Sequence, residues 1–389
     1  VDAAVIGAGA GAVPPAEVER RYATIREAMA RDGLDAVIVS GNEYTGFEGA
    51  VTYMSGFVIV HRYAYVLLPL EGDPSIVFPR EARYVGEHGT TWIEQQEFVD
   101  LPGDWLADRV RGKRVGVYGL DYVMTVRDYR ALEGSAEIVA WDLGFDHARA
   151  VKSEFELAAV RDSVRINTEG FWIFLEAFEV GKSEREILAP CEEYFVAQGC
   201  GRLTMDMVLV GEHGAALPEF KIAGGRPVRA GDLVLPSLEI AGPGGYWVEV
   251  SRAICPGAPS DETKRMLEAY EEYYAAARDV LKEGATAHDA HRAVSKGFTD
   301  RGWALGHVTG HSIGMTMIEF PKVGEGIDTP LHSGMVLSMH PHVISDDGNA
   351  CLYMQDTWLV TEAGGVPLAD LPMRIFDGTE RRAHERRRP

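Results

Sequence analysis

The chain has 389 residues, 46% of them hydrophobic, enough for two globular domains with cores of their own. A formal charge of −21 argues against nucleic acid as a partner, because a phosphate backbone repels so acidic a surface, and favours small or cationic molecules. No apolar run reaches the length of a bilayer-spanning helix, so no membrane partner is expected.

The opening "VDAAVIGAGAGAVPP" spaces Gly7, Gly9 and Gly11 like a dinucleotide loop. No useful strand precedes them and Pro14 and Pro15 follow, so the segment reads as a flexible leader; it also lacks the basic start of a signal peptide. Pro15 starts a helix over 15–33 that Gly33 can stop. "DAVIVSG", "AYVLLPL", "SIVFP" and "RVGVYG" read as buried strands, with helices near 103–111 and 125–133. This alternation predicts a small α/β domain over residues 1–148.

The second domain, 149–389, opens on a long amphipathic helix with Ser153 and Glu156 as a capping box, repeated by Ser183 and Glu186 on a helix ending at Gly199. "LVLPSLEIAGPGGYWVEVSR", residues 233–252, reads as two strands around a Gly-Pro-Gly-Gly turn. Helices over 260–282 and 287–301 and strands near 307–319, 335–342 and 352–361 complete an α+β layer arrangement. The tail "RRAHERRRP" reads as a solvated end. Cys191, Cys200, Cys255 and Cys351 form no CxxC pair, which points to a reducing, cytoplasmic setting.

Five stretches in order, "RAVKSEFEL", "GDLVLPSLEIAGPGGYWVEVSR", "GHSIGM…EFP", "SGMVLSMHP" and "LYMQDTWLVTEAG", resemble the creatinase, prolidase and aminopeptidase P superfamily. The resemblance runs from about residue 20 onward and implies a pita-bread catalytic domain preceded by a creatinase-like α/β domain. In metal-dependent members two divalent ions are held by two aspartates, a histidine and two glutamates. Carried over, these fall on Glu249 (second aspartate), His311, His340 (first glutamate) and Gln355 (last glutamate). The first aspartate falls on Leu238 with the usual spacing, or on Ser237 with one extra residue in the turn. The longer spacing also looks like the dimethylsulfoniopropionate lyases of the superfamily, with Glu239 as an additional acidic position sharing a strand face with Ser237.

Charge then decides. Glu249, with Glu239 beside it, cannot balance two closely spaced divalent ions, so the expectation is no metal cofactor. The fallback is a single divalent ion on Glu249, His311 and His340, a donor set suited to zinc or iron. Creatinase, which the resemblance makes the precedent, cleaves a C–N bond without a metal through a histidine acid/base. Its own histidine lies upstream of the ribbon, where this chain has Pro218 and, five residues earlier, His213.

The site expected is therefore His311, His340, Glu249 and Gln355 as catalytic residues, with Glu239, Arg62, Glu319, His213 and Tyr246 binding substrate. Glycines around His311 allow close backbone approach. Gln355 is an uncharged stand-in that hydrogen-bonds without shifting neighbouring charges. The plain alternatives are a salt bridge from Glu249 to Arg252, structural pairing of Glu319 and Asp356, and core packing of Tyr246, Trp247, Trp303 and Tyr353. His307 and His342 are further imidazoles close by in sequence. Arg62 resembles the arginine that crosses the creatinase dimer to a substrate carboxylate, which suits a planar guanidinium. The expected function is a homodimeric hydrolase of a C–N bond in a small amino-acid-like molecule, with His311 and His340 sharing proton transfer. A single-metal lyase or Xaa-Pro-type peptidase and a non-catalytic ligand-binding protein are the alternatives.

Overall fold

The computed structural model describes residues 13–42, 48–83, 91–201, 203 and 206–380. The opening glycines and the basic tail lie outside these residues. The chain forms two compact units. One runs to Phe155 and includes Pro243–Tyr246 and Ile313–Phe320; the other comprises Glu156–Gly242, Trp247–Ser312 and the chain from Pro321.

In the first unit, helix Pro15–Arg31 starts on its proline and ends before Gly33, whose φ of 68° suits glycine. A six-stranded sheet follows the order Gln95–Val99, Ser75–Pro79, Tyr63–Pro69, Ala36–Asn42, Arg114–Tyr118, Glu137–Ala140. The inner four are the apolar strands legible in the sequence, with Ile38, Val66, Val77 and Val117 fully buried. The edge strands, "QQEFV" and "EIVA", are partly exposed and carry too little apolar signal to be read.

In the second unit, helix Glu184–Ala197 has the Ser183–Glu186 capping box, and Thr286 with Asp289 forms another on helix Ala287–Thr299. Helix Asp261–Val280 packs on Ala287–Thr299 through Tyr270 and Phe298, ring centroids 5.2 Å apart. The β-structure corrects the sequence reading. A five-stranded sheet has the order Glu319–Val323, Gly310–Ser312, Val336–Met339, Asp356–Val360, Gly365–Pro367; a three-stranded sheet has Ala304–Leu305, His342–Ile344, Cys351–Tyr353. The strands expected over 335–342 and 352–361 are each two strands in different sheets. The chain leaves the larger sheet at His340–Pro341 and returns to it at Met354–Gln355. Pro341 has no N–H to continue the ladder. The strand expected over 307–319 is also broken, because residues 313–318 loop out, with Gly314 N–H donating to the Thr316 carbonyl.

Candidate active site

The ribbon legible in the sequence forms as strands Glu239–Ala241 and Trp247–Glu249, with Glu239 directly opposite Glu249. Helix Glu154–Ala177 holds it: Asn167 Nδ2 donates to the Leu238 and Val248 carbonyls at 2.9 and 3.3 Å. Gly242 is required there, since a Cβ would lie 2.1 Å from Ser163 Oγ. Thr357 Oγ1 accepts from Glu249 N–H and donates to its carbonyl, fixing the strand that carries this carboxylate. Between Ser237 and Glu239 the side chain of Leu238 goes to the core, fully buried. Ser237 Oγ instead lies 2.8 Å from Glu239 Oε1 and 3.2 Å from Gln355 Oε1. Ser237, not Leu238, therefore occupies the place left open by the sequence.

Glu249, His311 and His340 converge, all three buried, with one ligand atom from each lying within 4.8 Å of the others. Glu249 Oε1 is 3.4 Å from His311 Nε2, and its Oε2 is 3.8 Å from His340 Nε2. His311 Nδ1–H donates to the Ser312 carbonyl at 2.9 Å, so in the neutral ring Nε2 presents its lone pair to a carboxylate. Two electron-rich atoms held this way need a cation between them, either a proton or a metal ion. Burial pushes His340 down to about 3, so its ring is neutral near pH 7. Burial raises the Glu249 carboxyl, but the imidazoles of His340 and His311 outweigh it and hold the group low.

Gln355 lies at the return between sheets and is fully buried. Its Nε2 donates to Glu239 Oε1 and Glu249 Oε2, both at 2.9 Å, and lies 3.0 Å from the Tyr353 hydroxyl. Its Oε1 accepts from Ser251 at 3.1 Å and lies 3.2 Å from Ser237 Oγ. Burial, then the charge of Glu249, raises Glu239 well above the ordinary carboxyl value.

Next to this network lies a set of rings that the sequence reading underweighted. The His307 ring lies edge-on to His340 at 5.1 Å and tilted against His342 at 5.5 Å, and Phe220 lies 4.8 Å from His342 and 5.0 Å from Tyr353. His307 is exposed, and its Nδ1–H donates to the Val308 carbonyl at 2.7 Å, leaving Nε2 basic. The neighbouring rings strip water from the His307 imidazole and lower it, and burial lowers His342 to about 4. His340 Nδ1 and His342 Nε2 are buried without a hydrogen-bond partner. Phe220 sits in "LPEFKI", a non-periodic loop that carries no signal beyond composition. His307 was visible only as an imidazole four residues before His311.

Glu319 belongs to the first unit, where Lys152 and Arg149 pair with it at 2.9 and 3.2 Å. Tyr246 is in the same unit and its hydroxyl accepts from Arg21 at 3.2 Å. Arg62, also there, is exposed, reaches Glu81 at 3.7 Å and has a φ of 70°. His213 is an exposed turn residue with φ 57°. Arg252 pairs with Asp356 at 2.9 Å, not with Glu249, which removes the simple salt-bridge alternative for Glu249. Trp247 is buried in the ribbon, and Trp303 Nε1 donates to Glu262 at 2.6 Å.

Residues 158–362 match the model of metallopeptidase family M24, and residues 21–151 match the creatinase/prolidase N-terminal domain. The chain belongs to family M24. An Xaa-Pro dipeptidase of Lactobacillus delbrueckii subsp. lactis is 30% identical, over 87% of this chain and 94% of that protein. The uncharacterized peptidase YqhT of Bacillus subtilis is 25% identical, over 90% and 98%. Among solved structures, dipeptidase PepE from Mycobacterium ulcerans superposes with a TM-score of 0.81 at 23% identity, covering 94% of this chain and 99% of that one. The prolidase from Pyrococcus horikoshii gives 0.76 at 22%, over 90% and 98%. The M24 chain thus has the α+β pita-bread architecture with a creatinase-type N-terminal domain, and it is a hydrolase acting on C–N bonds. Among the described residues, no helix is long and apolar enough to cross a membrane.

Family M24 implies divalent metal, and the donors present fit one ion. Glu249, His311 and His340 supply three ligands, and the Ser312 carbonyl orients the His311 ring as second-sphere groups do in metal sites. A second ion does not fit. No other acidic, histidine or cysteine trio converges among the described residues, and Gln355 presents N–H donors, not a lone pair, to the two carboxylates. The expectation of a metal-free site finds no support in the family description.

Proposed function

We propose that this M24 chain hydrolyses the C–N bond of a small peptide or N-substituted amino acid, using a one-ion centre on Glu249, His311 and His340 in place of the family's two-ion one. The observation that carries this is the convergence of those three buried donors, with His311 Nε2 left facing Glu249. A bound ion of the zinc or iron class supplies a Lewis acid that polarises a substrate carbonyl and acidifies water.

The chain's own residues do the rest. Glu249 contributes the charge, and Gln355 and Thr357 hold it in position. With His311 and His340 as ligands, proton transfer passes to His307, which is exposed and has a basic Nε2. Phe220, Tyr353 and the neutral ring of His342 offer an uncharged wall for the substrate's side chain. The names of the relatives, dipeptidases among them, support a dipeptide-sized substrate. Arg62 is offered as the clamp for a substrate carboxylate in a homodimer, its exposure supporting that use. Four free thiols support a cytoplasmic setting.

The 3.4 Å contact between His311 and Glu249 also favours a second reading, in which a proton replaces the ion and a creatinase-like, metal-free reaction follows. One experiment separates the two. Protein purified without added metal is analysed for bound elements, stripped with a chelator, and assayed on a dipeptide panel for released amino acid. The one-ion reading expects one equivalent of metal, loss of turnover on stripping, and recovery on adding it back. Full turnover by the stripped protein rejects it in favour of the proton.

A further inference from the structure

We infer that the Gln355 carboxamide occupies the place of a second cation, so that this residue sets how many ions the chain holds. The inference deepens the one-ion reading and rests on it. Glu239 and Glu249 face each other across the ribbon, 5% and 2% exposed, with no lysine or arginine ion-paired to either among the described residues. Two carboxyl groups so placed need donors or a cation between them. Gln355 Nε2 fills that role with 2.9 Å bonds to one oxygen of each.

The amide's orientation is fixed from its other end. The Ser251 hydroxyl donates to Oε1 at 3.1 Å, and the Ser237 hydroxyl, 3.2 Å from Oε1, gives its proton to Glu239 Oε1 at 2.8 Å. Turning the amide over would set its carbonyl against the Glu249 carboxylate. The backbone is held as well: Ser251 N–H donates to the Gln355 carbonyl at 3.1 Å, and Gln355 N–H to that of Ser251 at 3.4 Å. The carboxamide is thus a built-in, neutral bridge seated among Glu239, Glu249, Ser237 and Tyr353.

A carboxylate at 355 would remove both donated protons and set three acidic side chains around the same point. Only a cation then satisfies the group, and oxygen-rich, it suits a hard divalent ion such as manganese. Gln355→Glu is therefore expected to add one Mn2+ to whatever the wild-type chain holds. Both proteins are stripped, reloaded with excess Mn2+, freed of loose metal by gel filtration and counted by elemental analysis, with electron paramagnetic resonance of the bound Mn2+ as a second readout. The expected result is one ion in the wild type with an isolated-ion spectrum, and two in the variant with a spin-coupled one.

The wild-type count tests the one-ion reading, and the difference between the two proteins tests the role of Gln355. Two ions in the wild type overturn both. One ion in both wild type and folded variant overturns the inference and leaves the reading standing. If Gln355→Glu is unfolded in chelator, folding on addition of Mn2+ supports the inference, and failure to fold at millimolar Mn2+ overturns it.

Discussion

Glu319 in the first unit is 1% exposed and Glu249 in the second is 2% exposed, yet they answer the loss of water differently. Glu319 meets Lys152 at 2.9 Å and Arg149 at 3.2 Å, and Arg149 is balanced in turn by Asp146 at 2.8 Å. Burial raises the Glu319 carboxyl, but Arg149 and Lys152 more than compensate. Every charge in that cluster has a partner the chain itself supplies. Glu249 has two imidazoles and an amide, and no lysine or arginine ion pair among the described residues. A carboxylate neutralised from within its own fold is architecture. One left short of positive charge, with imidazole lone pairs beside it, is where an external cation or a proton belongs.

The sharpest way to break this contrast is to remove the second group. Glu249→Gln and His311→Ala should each lower turnover by about 10³-fold or more, since several kcal/mol of transition-state stabilisation goes with the ion. Bound metal, read by elemental analysis, should fall in parallel while the circular dichroism spectrum stays native. Turnover within tenfold of wild type in both variants would place the chemistry elsewhere. Glu319→Ala should do the reverse. It leaves Lys152 buried without its ion-pair partner and Arg149 with Asp146 alone, which costs about 3–5 kcal/mol in urea unfolding, with metal content of the folded protein unchanged.

His307→Ala sharpens the second half of the contrast by separating proton transfer from ion binding. Its kcat should fall about 10²-fold with metal content and stability held. The acid limb of the kcat profile should change as well, because loss of water around the native ring holds it below its ordinary value and therefore unprotonated, ready to accept a proton, through neutral pH. Loss of the metal together with kcat would make His307 a support for the centre and not a proton carrier.

Much of this was legible in the sequence because it is local or ordered. The five stretches lie in family order, and the apolar strands and the Ser183–Glu186 cap announce themselves by period and composition. What periodicity cannot register is a strand that changes sheets. His340 and Gln355 both sit where the chain crosses between the larger and smaller sheet, in runs that read as single strands. The choice between Ser237 and Leu238 needed the structure for the same reason: a register of one residue turns every side chain to the other face. Glu319 matches an acidic position of the family, and its pairing with Lys152, 167 residues away in sequence, is beyond any local pattern. Phe220 came from a loop, where only three-dimensional neighbours give a residue meaning.

Asp206 is a third buried carboxyl, 6% exposed, and it meets burial in a third way. Its Oδ1 accepts from Glu239 N–H at 3.3 Å, while Oδ2 has no partner. Burial, then the charge of Glu192, pushes it up to about 7, so it keeps its proton where the unfolded chain has lost it. Between the unfolded value near ~3.8 and the folded one the native state binds more protons, and stability must fall as pH rises through that window. Asp206→Asn has no proton to lose. Relative to wild type it should therefore gain stability from pH 5 to pH 8, by no more than about 1.4 kcal/mol per pH unit within the window. Urea midpoints of both proteins at the two pH values measure this difference. A difference that stays constant from pH 5 to pH 8 would mean that Asp206 is already ionised at pH 5, as Glu319 is, and the three-way distinction among buried carboxyls would collapse to two.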